Sequence, residues 1–314
     1  MKPAVLVTGG AGFVGSHVAD AYIAAGYPVT VLDNLSNGFR ENVPDTARFV
    51  QADVRSEEAW ELLASGEFGI LNHQAGQIDV RCSVADPIAD ANVNILGFLN
   101  LLQGACKGKV RRIVFASSGG AIYREATGAP RDESAIKLPV SPYGAAKLAS
   151  EYYLVAFAQM HGIEAVTLRY CNVYGPRQNP RGEAGVVAIF VQKIREGEPL
   201  VVYGDGEQTR DMVYVEDVAV ANVAASRCPP PPLYDLDRCA YNIGTGTETS
   251  VNQLATLLSA MIDGTPQIRH APERQGEIRR NALACDKAAR ELGWRPQTSL
   301  VEGLRLTLSW LAQD

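Results

Sequence analysis

The sequence predicts an α/β protein: a doubly wound parallel sheet followed by a smaller α/β substrate-binding lobe. Three observations carry this expectation. Short apolar runs alternate with longer stretches of helical period through the first half of the chain, the mark of βαβ units. Gly9, Gly12 and Gly15 lie between the first apolar run and the first helical stretch. After Pro176 the rhythm changes, and a length prior of about 150 residues per domain suggests two lobes for 314 residues.

AVLVTG (Ala4 to Gly9) reads as a buried strand, and Phe13 to Gly26 as a helix with Val14, Val18, Ala21, Tyr22 and Ala25 on one face. PVTVLD (Pro28 to Asp33), RFVQAD (Arg48 to Asp53), GILNHQA (Gly69 to Ala75), RRIVFAS (Arg111 to Ser117) and EAVTLRY (Glu164 to Tyr170) read as further strands. Helical patterns at Glu57 to Leu63, Val84 to Cys106 and Tyr143 to Met160 separate most of them. Helices then cover both faces of the sheet. GPRQNPRGE, rich in Gly, Pro and charge, predicts a loop that leaves the sheet. Beyond it come a helix (Val186 to Glu196), a short strand (LVVYG) and a strand-helix passage (DMVYVEDVAVANVAAS). A proline run (Pro229 to Pro232) reads as an extended connector, before a strand (YNIGTG) and helices at Val251 to Ile262 and Leu300 to Leu311. Residues 1–176 are expected to form the first lobe, with segments near 212–245 returning to it, and 177–314 the second.

Bulk properties exclude several function classes. A hydrophobic content of 46% and a charged content of 20% are those of a soluble globular chain. The net charge of −6 argues against a general nucleic-acid or anionic-membrane surface, leaving room for a local basic pocket. The six cysteines show no metal-ligand spacing and are sparse for a disulfide framework, so no metal and a reducing, cytoplasmic setting are expected. The N-terminus lacks a signal-peptide core, and no apolar run reaches the ~18 residues of a membrane span.

TGGAGFVGSH places its glycines where a tight turn and close approach to a pyrophosphate are needed, at a helix N-terminus that supplies N–H groups and a positive dipole end. Asp33 ends the second strand, where its carboxylate would accept hydrogen bonds from an adenine-side ribose. A 2′-phosphate would meet like charge there, so NAD is expected over NADP. Asp53, ending the third strand, is a candidate for the adenine; a cap for the following helix is an equal reading.

SPYGAAKLASEYY places Tyr143 and Lys147 four residues apart on one helical face. A YxxxK arises by chance in roughly a quarter of sequences with this content of Tyr and Lys, so context must decide. Ser141-Pro142 is a helix-start signal that puts Tyr143 at an exposed end. An ammonium beside the phenol favours the phenolate, which makes the tyrosine a competent base for a sugar hydroxyl. Upstream, FASSGGAIY leaves a strand at the carboxyl end of the sheet, where a serine hydroxyl can bridge Tyr143 and a substrate hydroxyl.

Nine motifs in order, TGGAGFVGSH, VLDNLSNG, HQAGQIDVRCSVADP, FASSGGAIY, SPYGAAKLASE, LRYCNVYGPRQ, YGDGEQTRDMVYVEDV, YNIGTGTETS and PERQGEIRR, resemble those of the UDP-glucose 4-epimerases. These belong to the extended short-chain dehydrogenase/reductase family, and the likeness runs from Lys2 to about Pro296. The resemblance implies a Rossmann-type cofactor domain, tightly held NAD, a UDP-hexose substrate and a homodimer formed through the Val84 to Cys106 and Tyr143 to Met160 patterns. It implies that Tyr143 takes the proton of the sugar 4-hydroxyl as C4 gives up a hydride. The resulting 4-keto sugar then turns and is reduced on its opposite face. Lys147 would bind the nicotinamide ribose and tune the phenol, and Ser118 would bond the hydroxyl. Relatives usually carry Ser or Thr where Gly119 stands, so Ser118 is preferred, while a Gly119-Gly120 pair that loops out one residue would keep Ser117 open; Arg124 replaces a usual Gly, and Gly76 a usual Ala. The resemblance places Phe13, Val14, Asn34, Asp53, Val54, Ala75, Asn94, Ser117 and Tyr170 around NAD. Around the substrate it places Ser83, Asn172, Val187 and Tyr203, with Arg210 and Arg274 on the diphosphate, Glu277 on the uridine ribose and Asn281 at a gatekeeper position. Asparagine is intermediate in size there, so N-acetyl sugars are an expected further substrate.

Three other readings share parts of this pattern. A 4,6-dehydratase would carry an Asp-Glu pair where Gly119 and Gly120 stand. A UDP-glucuronate 4-epimerase or decarboxylase stays open, because Arg81, Arg177, Arg279 or Arg280 could receive a C6 carboxylate. A non-catalytic NAD-binding regulator or scaffold is the alternative of another class, against which the intact Tyr143, Lys147 and serine count.

Overall fold

A computed structural model describes residues 2–125, 128, 130–179, 185–231, 234–262, 267–273 and 279–312. Unbroken apolar runs fold as parallel strands because both of their faces can then be buried. In chain order the elements begin with β1 (Ala4–Thr8), α1 (Phe13–Ala24), β2 (Val29–Asp33), β3 (Arg48–Gln51), α2 (Glu57–Ala64) and β4 (Phe68–His73). Next come α3 (Val80–Ala85), α4 (Pro87–Ala91), α5 (Gly97–Lys107), β5 (Arg112–Ser118), α6 (Gly119–Ile122), α7 (Pro142–His161) and β6 (Glu164–Tyr170). The remainder is β7 (Asn172–Tyr174), α8 (Val186–Arg195), β8 (Leu200–Tyr203), β9 (Thr209–Tyr214), α9 (Val215–Ala225), β10 (Ala240–Ile243), β11 (Glu248–Ser250), α10 (Val251–Met261), β12 (Ile268–Ala271) and α11 (Leu300–Leu311).

Seven strands form one sheet in the order β10-β6-β5-β4-β1-β2-β3, and each of its neighbouring pairs is parallel. This is the doubly wound α/β fold that the sequence predicts. The strand order reverses beside β1, which opens a crevice at the carboxyl edge between β1 and β4. Alternation sends Leu6, Leu32 and Leu71 to one face, against Ala59 and Leu63 of α2, Phe98 and Leu101 of α5, and Leu154 of α7. Val5, Val7, Val31 and Ile70 go to the other, against Val18 and Tyr22 of α1 and Ala219 of α9. Strand β10, late in the chain, pairs with β6. A separate core gathers Phe190 and Val191 of α8, Val202 of β8, Met212 of β9, Leu254 and Leu258 of α10 and Leu304 of α11, beside small sheets β11-β9-β7 and β12-β8.

Two expectations are corrected. The helical pattern from Val84 to Cys106 is not one helix: α3 ends at Ala85, α4 begins at Pro87, and a π-type turn over Asn92–Leu96 precedes α5. A residue before proline is pushed out of helical dihedrals, and Asp86 (φ −140°, ψ 83°) instead accepts the Ala89 N–H at 2.9 Å as the cap of the next helix. Gly119 and Gly120 do not loop out but open the single helical turn α6. The short strands β7, β11 and β12 escape the sequence reading because three or four residues carry too little periodicity; β12 is almost wholly exposed.

Candidate active site

The carboxyl edge of the large sheet collects the groups the sequence singles out. Gly9 leaves β1 at φ +70°, and a Cβ there would lie 2.6 Å from the Ala75 nitrogen. A Cβ on Gly15 would lie 2.0 Å from the Gly9 carbonyl oxygen, and one on Gly12 3.2 Å from it. The Gly12 N–H donates to that same carbonyl at 3.1 Å, which ties the turn to the first turn of α1. Only glycine lets the backbone pack this closely on itself and on Ala75, which makes a tight turn at a helix N-terminus of the kind a pyrophosphate can approach. Phe13 and Val14, half-buried, start that helix.

Asp33 is buried; its Oδ2 accepts the Ala11 N–H at 3.0 Å and its Oδ1 the Leu35 N–H at 2.8 Å. Each oxygen retains a lone pair, so a ribose diol can be added to these bonds. Asp53 is engaged more fully: Arg55 holds it through Nε at 2.7 Å and Nη2 at 2.8 Å, and Asn34 Nδ2 donates at 2.9 Å. These bonds, the Arg55 guanidinium foremost, hold its carboxyl far below the usual range. The capping reading of Asp53 is set aside, since Ser56 caps α2 by accepting the Ala59 N–H. Val54, next to Asp53, is buried and packs against Gly97.

Tyr143 stands in the first turn of α7, which Ser141 caps by accepting the Gly144 N–H at 3.1 Å. Lys147, 4% exposed, lies one turn on, its Nζ 5.9 Å from the Tyr143 ring centroid and 5.1 Å from that of Phe115. Nζ donates to the Ala116 carbonyl at 3.0 Å. Burial lowers the Lys147 ammonium from 10.5 to about 8, with Asp90 and Glu151 opposing. The neighbouring His73 stays neutral: burial, helped by the Lys147 charge, lowers it to about 3, and its Nδ1 pairs with the Thr8 hydroxyl at 2.7 Å. Gly76 leaves room beside this group, since a Cβ there would lie 2.7 Å from Asn94 Oδ1 and 3.3 Å from Lys147 Nζ. Asn94 sits in the π-type turn; its side chain bonds Gln77 and Asp90, and its carbonyl accepts from Ser150 at 3.0 Å. Such turns recur at functional sites because they re-aim one residue of a helix.

The two serines part company. Ser117 is buried and its hydroxyl donates to Glu151, which also holds the fully buried Arg169 at 2.7 Å. Ser118, half-buried and paired in register with Tyr170 at the ends of β5 and β6, has no hydrogen-bond partner for its hydroxyl among the described residues. A Cβ on Gly119 would lie 2.5 Å from Leu283 Cδ1, so a side chain at this position would point into the core. Tyr170 donates to Asn222 at 3.1 Å and lies within a buried amide network with Gln74, Asn72 and Tyr22.

On the substrate side, Asn172 Oδ1 is buried without a partner. Half-buried Arg210 lies on β9 with Nη1 donating to the Thr209 carbonyl at 2.8 Å, and half-buried Tyr203 ends β8. Ser83 is buried with its hydroxyl donating to Val80 at 2.7 Å, and Val187 is spent on the smaller core. Asn281, 3% exposed, bonds Arg131. Arg274 and Glu277 lie outside the described residues. The four arginines considered for a carboxylate are paired: Arg81 with Asp79, Arg177 with Asp20, Arg279 with Asp205 and Arg280 with Glu248. Among the described residues no cluster of three or more metal-binding side chains occurs, and no helix is long and apolar enough to cross a membrane.

Residues 5–244 match the model of the NAD dependent epimerase/dehydratase family. The chain belongs to that family. Within it, the UDP-glucose 4-epimerase of Mycolicibacterium smegmatis is 39% identical over 97% of each chain. A Thermotoga maritima UDP-glucose 4-epimerase solved with UDP-glucose superposes with a TM-score of 0.92 at 44% identity, covering 99% of each chain. A Thermus thermophilus UDP-glucose 4-epimerase solved with NAD gives 0.91 at 42%, covering 98% of this chain and 99% of that one. In this member of the epimerase/dehydratase family, Glu151, Arg169, Asp211 and Arg131 were missed by sequence reading. Glu151 had a signal, since it lies one turn beyond Lys147 on the same helix face. Arg169 had another, a charge inside an otherwise apolar strand.

Proposed function

We propose that the chain is an NAD-dependent 4-epimerase of UDP-hexoses. The observation that carries this reading is the Ser118–Tyr143–Lys147 group at the same sheet edge as the glycine cradle and Asp33. NAD fits the structure: the glycine turn at the α1 N-terminus takes the pyrophosphate, Asp33 the ribose, and Gly76 and Lys147 line the approach to its far end. When bound, NAD supplies a reversible hydride acceptor for the sugar C4. Tyr143 takes the proton of the 4-hydroxyl on its phenolate oxygen and returns it after the ring has turned. Lys147 holds a positive charge near that phenolate, and the Ser118 hydroxyl orients the substrate oxygen. Arg210 supports the diphosphate as a charge-assisted donor, and Asn172, turned with its amide nitrogen inward, as a further donor.

Incubating the purified protein with UDP-galactose and separating the products tests the reading; UDP-glucose is the expected product. Release of NAD on denaturation without turnover of any UDP-sugar would sink it in favour of a scaffold. A pH profile is the second test. Lys147 is charged below about 8 and loses its charge as pH rises through that value. Turnover should therefore fall on the alkaline side with an apparent pKa near it. Lys147→Arg, charged throughout, should remove that limb from whatever activity it keeps; an unchanged limb would contradict the role.

We also propose a cytoplasmic homodimer. Support comes from six unpaired cysteines and from apolar side chains left exposed on neighbouring helices: Val84 (63%), Ile88 (74%) and Leu96 (55%) on one side, and Tyr152 (58%) and Met160 (72%) on α7. Light scattering should give twice the 33.7 kDa chain mass, and Ile88→Asp with Tyr152→Asp should give the monomer. A wild-type monomer at micromolar concentration would count against it.

A further inference from the structure

Asp90 is a buried carboxyl with no part in the chemistry assigned to Tyr143, Lys147 and Ser118. It lies on α4, 1% exposed, where that helix packs against α7. Its Oδ1 accepts from Gln77 Nε2 at 2.8 Å and from Asn94 Nδ2 at 3.0 Å, and its Oδ2 is buried without a partner. Neither oxygen is bonded to a cation among the described residues. A buried carboxyl with an unsatisfied oxygen is costly, which calls for a compensating charge close by.

Lys147 on α7 is that charge. It is buried, and its Nζ donates to the Ala116 carbonyl at 3.0 Å. Asn94 stands between the two: its Nδ2 bonds Asp90, while its Oδ1 and Lys147 Nζ lie 2.7 and 3.3 Å from the place a Cβ on Gly76 would take. Burial raises the Asp90 carboxyl and lowers the Lys147 ammonium, and the attraction between them opposes both. Three other titratable groups surround Lys147. His73 on β4 is neutral, Tyr143 lies one turn back on α7, and Glu151, one turn on, is occupied by Arg169 at 2.7 Å and by the Ser117 hydroxyl. Asp90 is therefore the carboxylate left over for Lys147.

We propose that Asp90 is a positioning residue of the reaction: across the Asn94 amide, its buried carboxylate holds Lys147 in the ammonium form that the Tyr143 phenolate needs. This rests on reading Tyr143 and Lys147 as the base and its tuning cation in the proposed epimerase. Asp90 touches neither sugar nor cofactor and acts through Lys147.

The test begins with Asp90→Asn, which is nearly isosteric, keeps an oxygen for Gln77 and Asn94, and removes the charge. Asp90→Ser, smaller and also uncharged, is the second variant. Lys147 should lose its proton about one pH unit lower in both, because a nearby opposite charge shifts a group by about 1–3 units. The alkaline limb of UDP-galactose turnover, near 8 in wild type, should move down with it. The rate should then fall about fivefold near pH 8 and hardly at all near pH 6. A merely structural loss would lower the rate equally at every pH. In a Lys147→Arg background, charged throughout, Asp90→Asn should move no limb.

Melting temperature against pH gives a readout that needs no turnover. The folded value of Lys147, about 8, lies below its ordinary 10.5, so the unfolded chain binds more protons between the two and stability rises with pH across that window. Its lower edge should move down by about the same pH unit in Asp90→Asn. Against a Lys147→Met background, profiles with Asp90 and with Asp90→Asn should run parallel across the window. An unmoved limb with an unmoved window overturns the role of Asp90. A moved window without turnover of any UDP-sugar leaves the coupling standing and overturns the epimerase reading; turnover with neither moved does the reverse.

Discussion

Tyr143→Phe should fold, keep its NAD and turn over UDP-galactose at least about a hundredfold more slowly, since a positioned base contributes roughly 10²–10⁴ in rate. The substitution removes one oxygen and leaves the ring near Lys147 and the helix start intact. Ser141 still caps α7, and Lys147 Nζ keeps its bond to the Ala116 carbonyl. The loss should appear in kcat, with binding of UDP-sugars little changed. NAD released on denaturation should match wild type. Full epimerisation by this variant would refute the assignment of the base.

The largest stability effect is expected at Asp211. This fully buried carboxylate on β9 accepts the Thr245 N–H at 2.8 Å, the Thr245 hydroxyl at 2.6 Å, the Gly246 N–H at 3.0 Å and the Leu283 N–H at 3.1 Å. It fastens two distant loops to one strand. Asp211→Ala leaves three main-chain donors without a partner, at a cost of about 3–5 kcal/mol. The melting temperature should drop by about 5–10 °C, read by calorimetry. A change below about 1 °C would mean that water replaces the carboxylate at no loss.

Legibility in the sequence followed locality. The glycine cradle, Asp33 and the Tyr143–Lys147 pair are short-range patterns whose geometry is set by one turn or one helix, and the structure keeps all of them at one sheet edge. Strand alternation says that Ser117 and Ser118 point to opposite faces, but not which of them is engaged inside; that depends on Glu151, 34 residues on, which takes the Ser117 hydroxyl. The contact of Arg131 with Asn281 joins positions 150 residues apart and leaves no local trace. The break at Asp86-Pro87 was readable in principle, since proline constrains the residue before it. The helical period on either side concealed it.

Gly119 shows how a folded core channels mutation. With Leu283 Cδ1 only 2.5 Å from the place of its missing Cβ, a side chain at this position has room only if the leucine moves aside. Gly119→Ser alone would meet the leucine, whereas Leu283→Ala alone would open a void worth about 2–5 kcal/mol. What either position can become therefore depends on the other, although the two lie far apart in the chain.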